Sequence, residues 1–174
     1  RLTEIGSELG YSVEVVPALG DESGVISSTE IRKLITVGNV EEAAQLMGHP
    51  YQLQGLVAHG ARRGHTIGFP TANLDYAREK VIPAGGIYAC WAYLGDKKHK
   101  AAINIGTNPT FTPDKTTLNV EAYLLDFDRD IYGEVLRLEF VARLRDELKY
   151  DSVDALIEQI ELDVEQTREL LGTG

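Results

Sequence analysis

Tyr51-Gln52-Leu53-Gln54-Gly55-Leu56-Val57-Ala58 marks the point in the sequence where the spacing of apolar residues changes. Upstream of it the apolar residues follow a helical spacing, whereas downstream the chain forms short runs rich in Val, Ile, Tyr and Leu. Turn residues separate these runs and no strong helical segment lies between them, so βαβ units and a parallel sheet are not indicated. The pattern predicts a small antiparallel β-barrel. Its predicted strands are Tyr51 to Ala58, Gly86 to Leu94, Lys100 to Ile105, Leu118 to Phe127 and Val135 to Leu144.

Short helices are predicted on the N-terminal side of the barrel. Ser27-Ser28-Thr29-Glu30 has the form of a capping box, in which the first Ser caps the helix and the Glu answers three residues later. That helix is stopped by Gly38, and a second helix begins at Asn39 and ends at His49-Pro50. The residues before them are predicted to form a short helix, a strand at Tyr11 to Val16 and a loop at Gly20 to Gly24.

A long helix is predicted at the C-terminal end. Asp151 or Ser152 caps it, and its apolar residues keep the 3.6-residue spacing of an amphipathic helix. We expect this apolar face to lie against the barrel as part of the core. Its members are Val153, Leu156, Ile157, Ile160 and Val164.

The composition of the 174-residue chain is that of an ordinary globular protein, with 43% apolar and 25% charged residues. This length allows one full domain and an appendage. The net charge of −10 argues against a nucleic-acid partner, which needs clustered Lys and Arg. No apolar run approaches a membrane span, and the single cysteine, Cys90, permits no internal disulfide, which favours a cytoplasmic protein. Because the chain lacks an initiator Met we expect a fragment or a processed product, and the sequence indicates no oligomeric state.

The most unusual segment runs from Gly60 to Asn73. Its glycines, Gly60, Gly64 and Gly68, stand at four-residue spacing and let the backbone approach anionic oxygens closely. Positive charge lies in the same segment, on Arg62, Arg63 and His65. The segment is neither a Walker A loop nor a dinucleotide fingerprint. On composition alone, a flexible hairpin loop with solvated arginines remains equally open.

The string Gly68-Phe69-Pro70-Thr71-Ala72-Asn73 resembles the motif of riboflavin kinases, specifically the C-terminal kinase module of bacterial bifunctional FAD synthetases. Ile26 to Arg32 resembles the closing motif of the FMN adenylyltransferase module of the same enzymes. The resemblance implies that residues 1–49 are the remnant of that module and residues 50–174 a riboflavin kinase domain. We therefore expect a mainly β fold, with a Greek-key-like, six-stranded antiparallel barrel and a long C-terminal helix. The similarity continues through Pro83 to Ala89, Asn104 to Phe111, Val120-Glu121, Asp126 to Gly133 and Leu144 to Tyr150.

The resemblance also implies a reaction and its residues. The γ-phosphoryl group of Mg-ATP would pass to the riboflavin 5′-hydroxyl, giving FMN and ADP, and a longer parent protein would also make FAD from FMN and ATP. Glu121 would accept the hydroxyl proton, and Thr71 and Asn73 would hold the cofactor Mg²⁺. Arg145 and Glu147 would lie at the flavin end of the site. ATP would be bordered by Gly60, Arg62, Arg63, Gly64, His65, Gly68, Thr71 and Asn73.

Each of these assignments has a structural alternative. Thr71 and Asn73 could form a local Asx or Ser/Thr turn, and Glu121 could be a solvent-facing residue of a strand. Arg145 and Glu147 could belong to an exposed ion-pair network. For the whole chain, the rival functions are a flavin-dependent oxidoreductase on a split barrel and a flavin-binding module without catalysis. The four histidines lack zinc-site spacing, so a structural metal is not expected.

Overall fold

The computed structural model describes residues 1–14, 20–21, 24–60, 67–107 and 118–172. Within these ranges the helices are α1 (Leu2–Leu9), α2 (Ser28–Thr36), α3 (Val40–Met47) and α4 (Val153–Leu170). The strands are β1 (Gly20–Asp21), β2 (Gly24–Val25), β3 (Tyr51–Ala58), β4 (Ala72–Tyr76), β5 (Gly86–Leu94), β6 (Lys97–Thr107), β7 (Leu118–Leu124) and β8 (Val135–Arg145). No helix of the described part has the length and apolar character needed to cross a membrane.

Six strands form a closed antiparallel barrel in the order β3-β4-β7-β6-β5-β8. Strands β5, β6 and β7 follow one another as neighbours, and β8 returns to lie beside β5. This order of three consecutive strands with the fourth beside the first is a Greek key. The predicted mainly β fold with a six-stranded, Greek-key-like barrel is therefore confirmed.

The interior of the barrel is filled by alternate residues of its strands, since successive side chains of a strand point to opposite faces. Phe140 and Tyr88 are fully buried there and meet edge to face, with ring centroids 5.4 Å apart. The Tyr88 hydroxyl donates a hydrogen bond to the carbonyl oxygen of Ala84, and burial raises the pKa of Tyr88 to about 12. The residues between these buried ones point to the outside of the barrel.

All five predicted strands are present, with corrections to the bounds of some and to the number of strands. Tyr51–Ala58 and Gly86–Leu94 are strands as predicted, and β6 and β8 extend beyond their predicted ends. Strand β7 ends at Leu124, short of Phe127, because Asp126 adopts a left-handed backbone with φ 55°. The strand β4 was not located by the sequence pattern. Of the predicted loop, Gly20–Asp21 and Gly24 belong to the paired strands β1 and β2, and residues 22 and 23 lie outside the described residues.

The N-terminal helices begin where the capping pattern predicts. The Ser27 hydroxyl accepts a hydrogen bond from the backbone N–H of Glu30, and Asn39 caps α3. Helix α3 ends at Met47, just before Gly48 with φ 75°. It packs on β3 and β8, with Val40 fully buried in the core. The expected strand at Tyr11 to Val16 is not formed over residues 11–14, and its remainder lies outside the described residues.

Helix α4 is capped by Ser152, whose hydroxyl accepts from the N–H of Ala155, and it lies against β5, β6 and β8. The expectation that Val153 belongs to the core is wrong, because its side chain is 58% exposed. The other predicted core positions of this helix are only half-buried. The residues that α4 buries fully are polar, Asp163 and Thr167.

Candidate functional site

Three polar residues from distant parts of the chain stand directly opposite one another across β4, β7 and β6. Asn73 pairs with Glu121, and Glu121 pairs with Asn104 on its other side. Their strand neighbours Ala72, Ala122 and Ile103 lie in the barrel core. Because side chains alternate along a strand, the three polar residues share the outer face of the barrel.

Hydrogen bonds connect the polar side chains on this face. Asn119 Nδ2 donates to Glu121 Oε1 at 2.7 Å and to Asn73 Oδ1 at 3.1 Å. Thr71 Oγ1 donates to Glu121 Oε2 at 3.4 Å. These contacts of Thr71 and Asn73 reach across to β7. They are therefore tertiary contacts, unlike the local Asx or Ser/Thr turn that the sequence left open.

Two cavities meet at this network. We name them after one lining residue each: the Phe127 cavity, of about 530 Å³, and the Glu147 cavity, of about 640 Å³. Gly60, Thr71 and Asn73 line both. Each volume lies in the range of about 300–1,000 Å³ typical of small-molecule sites. Two ligands bound in the two cavities would therefore meet at Thr71 and Asn73.

The two cavities differ in their further lining. Glu121 lines the Glu147 cavity together with Asn104. The Phe127 cavity is lined by Pro70 and by the segment that follows β7. That segment contributes Phe127, Asp128, Arg129, Asp130, Ile131 and Tyr132. The proposed base therefore faces one cavity, while the hydroxyl and amide face both.

Three glycines let the backbone approach two side chains of the candidate site, Asn73 and Glu147. A Cβ added at Gly60 would lie 2.0 Å from Asn73 Nδ2, so only glycine leaves the Asn73 amide in its place. A Cβ at Gly106 would lie 2.2 Å from Glu147 Oε1, and one at Gly85 would lie 3.4 Å from Glu147 Oε2. The carboxylate of the exposed residue Glu147 therefore lies close to the backbone of Gly106 and Gly85.

Asn104 lines the candidate site and begins the segment Asn104 to Phe111 that resembles the family, but sequence analysis assigned it no individual role. Its Oδ1 is buried and has no hydrogen-bond partner within the described part of the chain. A buried acceptor without a partner typically costs about 1–3 kcal/mol. Asn104 lies beside Glu121 in the lining of the Glu147 cavity. The position of Asn119 could be derived from the sequence, because it precedes Glu121 by two residues and so lies on the same face of the strand.

Arg145 lies outside the lining of both cavities. Its guanidinium donates from Nε to Asp163 Oδ1 at 2.8 Å and from Nη2 to Asp163 Oδ2 at 2.6 Å. These hydrogen bonds raise the pKa of Arg145 above its ordinary value. The pair is largely buried, not part of an exposed network, and contact between Arg145 and a flavin stays a prediction.

The other predicted phosphate-binding residues belong to the segment from Arg62 to Gly68. Arg62, Arg63, Gly64 and His65 lie outside the described residues. Gly68 is described and has φ 86°, but it does not line either cavity.

The donor set suits a hard cation. Thr71 Oγ1, Asn73 Oδ1 and the Glu121 carboxylate are oxygen ligands joined in one network. The described ranges contain no cluster of three or more His, Cys, Asp or Glu side chains able to hold a metal ion. Mg²⁺ is usually held by few protein oxygens together with substrate phosphates and water. The residues present therefore fit Mg²⁺ arriving with a nucleotide.

A family model described as flavokinase, riboflavin kinase, matches residues 47–171. A bifunctional riboflavin kinase/FMN adenylyltransferase of Listeria monocytogenes is 44% identical over 158 residues, which cover 91% of this chain and 50% of that protein. The corresponding Escherichia coli K12 protein is 36% identical over 172 residues, covering 98% of this chain and 54% of that protein. The chain thus spans about half the length of the curated relatives it matches.

Solved structures give the same similarity. A Streptococcus pneumoniae crystal structure described as a macrolide-efflux protein has a TM-score of 0.84 and 41% identity, covering 95% of this chain and 54% of that one. The riboflavin kinase of Trypanosoma brucei has a TM-score of 0.52 and 26% identity, covering 71% of this chain and 80% of that one. Both carry the fold over most of the chain described above.

Proposed function

The chain belongs to the riboflavin kinase family, and on this basis we propose that its barrel-face site transfers the γ-phosphoryl group of ATP to the 5′-hydroxyl of riboflavin, giving FMN and ADP. One observation carries the proposal: Thr71, Asn73 and the Glu121 carboxylate form one network where two cavities of ligand size meet. Phosphoryl transfer depends chiefly on positioning and charge stabilisation. A site shared by two cavities provides that positioning.

Glu121 acts as the general base. Its carboxylate lines the Glu147 cavity and is oriented by Asn119 and Thr71. It accepts the proton of the riboflavin 5′-hydroxyl as the oxygen bonds to the γ-phosphorus and the bond to the β-phosphate oxygen breaks. ADP leaves with the electrons of the broken bond.

Thr71 Oγ1 and Asn73 Oδ1 hold Mg²⁺ beside the triphosphate. Bound there, Mg²⁺ neutralises charge on the phosphate oxygens. The two side chains line both cavities, so they fix the end of the triphosphate at the boundary that the 5′-hydroxyl reaches. Asn119 keeps the Asn73 oxygen oriented through its 3.1 Å hydrogen bond.

The nucleotide occupies the Phe127 cavity and riboflavin occupies the Glu147 cavity. Glu121 supports this assignment, because a base must lie beside the hydroxyl that it deprotonates. Of the two cavities, Glu121 lines only the Glu147 cavity. Gly60 borders the nucleotide at the boundary of the cavities. Phosphate contacts of Arg62, Arg63, Gly64, His65 and Gly68 stay a prediction from the sequence. Glu147 contacts the flavin, with Arg145 at the same end.

A longer parent protein would be bifunctional. The full-length relatives named above are riboflavin kinase/FMN adenylyltransferases, and this chain spans about half of them. We assign residues 1–49 to the end of the adenylyltransferase module and residues 50–174 to the kinase. The 174-residue chain alone forms FMN and no FAD, and it acts in the cytoplasm without a nucleic-acid or membrane partner.

The purified chain, incubated with riboflavin, ATP and Mg²⁺ and resolved by chromatography, tests this function. We expect catalytic formation of FMN that stops when EDTA removes the metal. Tightly bound FMN without any requirement for ATP would instead support the oxidoreductase, and riboflavin binding without product would support a non-catalytic module. Either result overturns the kinase proposal.

A further inference from the structure

The segment between β8 and α4, residues 146–152, carries Glu147 and is held at its start by Arg145. Besides its two hydrogen bonds to Asp163, Arg145 donates from Nη1 to the backbone oxygen of Asp146 at 2.8 Å. One guanidinium thus joins the backbone directly before Glu147 to helix α4. Because the Glu147 side chain is exposed, its orientation depends on how that backbone is fixed.

Asp163 is built into the helix as a fixed acceptor. Its residue is 4% exposed, and Gln159 Nε2 donates a third hydrogen bond to Oδ1 at 3.1 Å. A turn later, the fully buried Thr167 donates its hydroxyl to the Asp163 carbonyl oxygen at 2.7 Å. A buried ion pair is weak grounds for stability, since well-packed apolar residues often stabilise a fold equally well. The geometry of the Arg145–Asp163 pair instead suits a role in orienting the backbone beside Glu147.

One of the two glycines beside the Glu147 carboxylate, Gly85, is also linked to the end of β8. Arg143 Nη2 donates to the Gly85 carbonyl oxygen at 2.6 Å and pairs with Asp146 Oδ1 at 2.8 Å. Gly85 and Gly106 are the residues on which the Glu147 carboxylate rests. Within the described ranges no hydrogen bond or ion pair holds that carboxylate itself. It is therefore placed by its surroundings and available to a ligand.

We infer that Arg145 and Asp163 form a positioning pair that holds Glu147 over Gly85 and Gly106, so that helix α4 sets the affinity of the Glu147 cavity for its ligand. The identity of that ligand as riboflavin rests on the proposed function. On this inference Arg145 acts through Glu147, in place of the direct flavin contact that the resemblance implied. The carboxylate so placed accepts hydrogen bonds from N–H or O–H groups of the ligand.

The test measures riboflavin binding by the quenching of flavin fluorescence and ADP binding by calorimetry. Asp163→Asn keeps the shape of the side chain and removes its charge, so we expect the Kd for riboflavin to rise about tenfold and the Kd for ADP to change less than twofold. Arg145→Lys, which keeps the charge and loses the two-pronged geometry, is expected to act in the same direction. It also serves as the second variant if Asp163→Asn folds poorly.

Asp126→Asn is the matched control. It breaks the other two-pronged pair of α4, in which Arg168 Nη1 and Nη2 donate to Asp126 at 2.5 and 2.7 Å, and it leaves the Glu147 segment untouched. Its Kd for riboflavin should equal that of the unmodified chain. An equal loss of riboflavin affinity in Asp126→Asn would show general loosening of α4 and would overturn the inference.

A double-mutant cycle separates positioning from a purely structural role. In a Glu147→Gln background, the effect of Asp163→Asn on riboflavin affinity should fall below twofold, because the pair acts through Glu147. Additive effects, or riboflavin and ADP affinities falling together, would refute the inference while leaving the kinase function intact. Failure of the unmodified chain to bind riboflavin at all would overturn both.

Discussion

Glu121 is the residue on which the proposed chemistry depends, because it joins the Thr71 hydroxyl and the Asn119 amide next to the boundary of the two cavities. Glu121→Gln keeps the size and the acceptor oxygen of the side chain and removes its basicity. We expect turnover to fall about 10²–10⁴-fold, the usual range for general-base catalysis. ATP affinity should be unchanged. Rates of FMN formation together with a nucleotide titration check this, and near-full turnover would reject Glu121 as the base.

Asn119 orients both the proposed base and the proposed metal ligand, since its Nδ2 donates to Glu121 and to Asn73. A hydrogen bond to a charged group is worth about 1.5–3 kcal/mol. Asn119→Ala should therefore lower kcat by roughly ten- to a hundredfold, with little change in the KM for either substrate. Tyr123→Phe, on the same face of β7, is the control and should keep normal kinetics. A change confined to KM would contradict the role.

Sequence reasoning reached part of this residue set. The motif from Gly68 to Asn73 and the glutamate after Val120 led to the three side chains that the fold joins in one network. Asn104 was reached only as the first residue of a similar segment, because its place beside Glu121 depends on the register between β6 and β7. Asp163, the ion-pair partner of Arg145, was missed because it lies on α4, and the local sequence does not show which residues of that helix meet β8.

At the scale of elements, β4 shows how tertiary structure overrides local preference. Its sequence Ala-Asn-Leu-Asp-Tyr contains Asn and Asp, which are depleted in strands. It is a strand because β3 and β7 pair with it on either side. The long apolar runs β3 and β5 were predictable with their boundaries because burial and local preference agree there.

Substitutions to alanine at Gly55, inside β3, and at Gly60, two residues after its end, form a matched pair of tests. A Cβ at Gly60 meets only the end of the Asn73 side chain, at 2.0 Å, whereas a Cβ at Gly55 meets the backbone oxygen of Asp75 at 2.2 Å. Gly60→Ala should displace the Asn73 amide and lower turnover on the order of tenfold without a large change in melting temperature. Gly55→Ala should destabilise the barrel. The reverse pattern, measured by FMN formation and thermal unfolding, would contradict the geometry.

At the scale of the whole molecule, α4 closes the structure by binding the ends of two barrel strands. Arg145 at the end of β8 bonds to its Asp163, and Asp126 just after β7 bonds to its Arg168. The amphipathic spacing predicted that this helix would pack on the barrel, which is confirmed. It placed the wrong residues in the core, because the deepest contacts of α4 are polar and ionic.

The Asp126–Arg168 pair makes a pH prediction. The hydrogen bonds from Arg168 are the main cause that lowers the pKa of Asp126 from 3.8, so the pair stabilises the folded state fully above that pH. This contribution is lost as the pH falls through the lower pKa of the folded state. Urea unfolding at a series of pH values should show a small stability gap between the unmodified chain and Asp126→Asn at neutral pH. The gap should close in acid, and one that widens there would contradict the assignment.

The proposed reaction requires both substrates to meet at one place, and a structure of the chain with riboflavin, Mg²⁺ and a non-hydrolysable ATP analogue measures this directly. We predict the metal on Thr71 and Asn73, and the riboflavin 5′-hydroxyl within about 2.6–3.2 Å of the Glu121 carboxylate. The analogue should lie in the Phe127 cavity and the flavin in the Glu147 cavity. A metal bound elsewhere, or a 5′-hydroxyl beyond the reach of Glu121, would contradict the account.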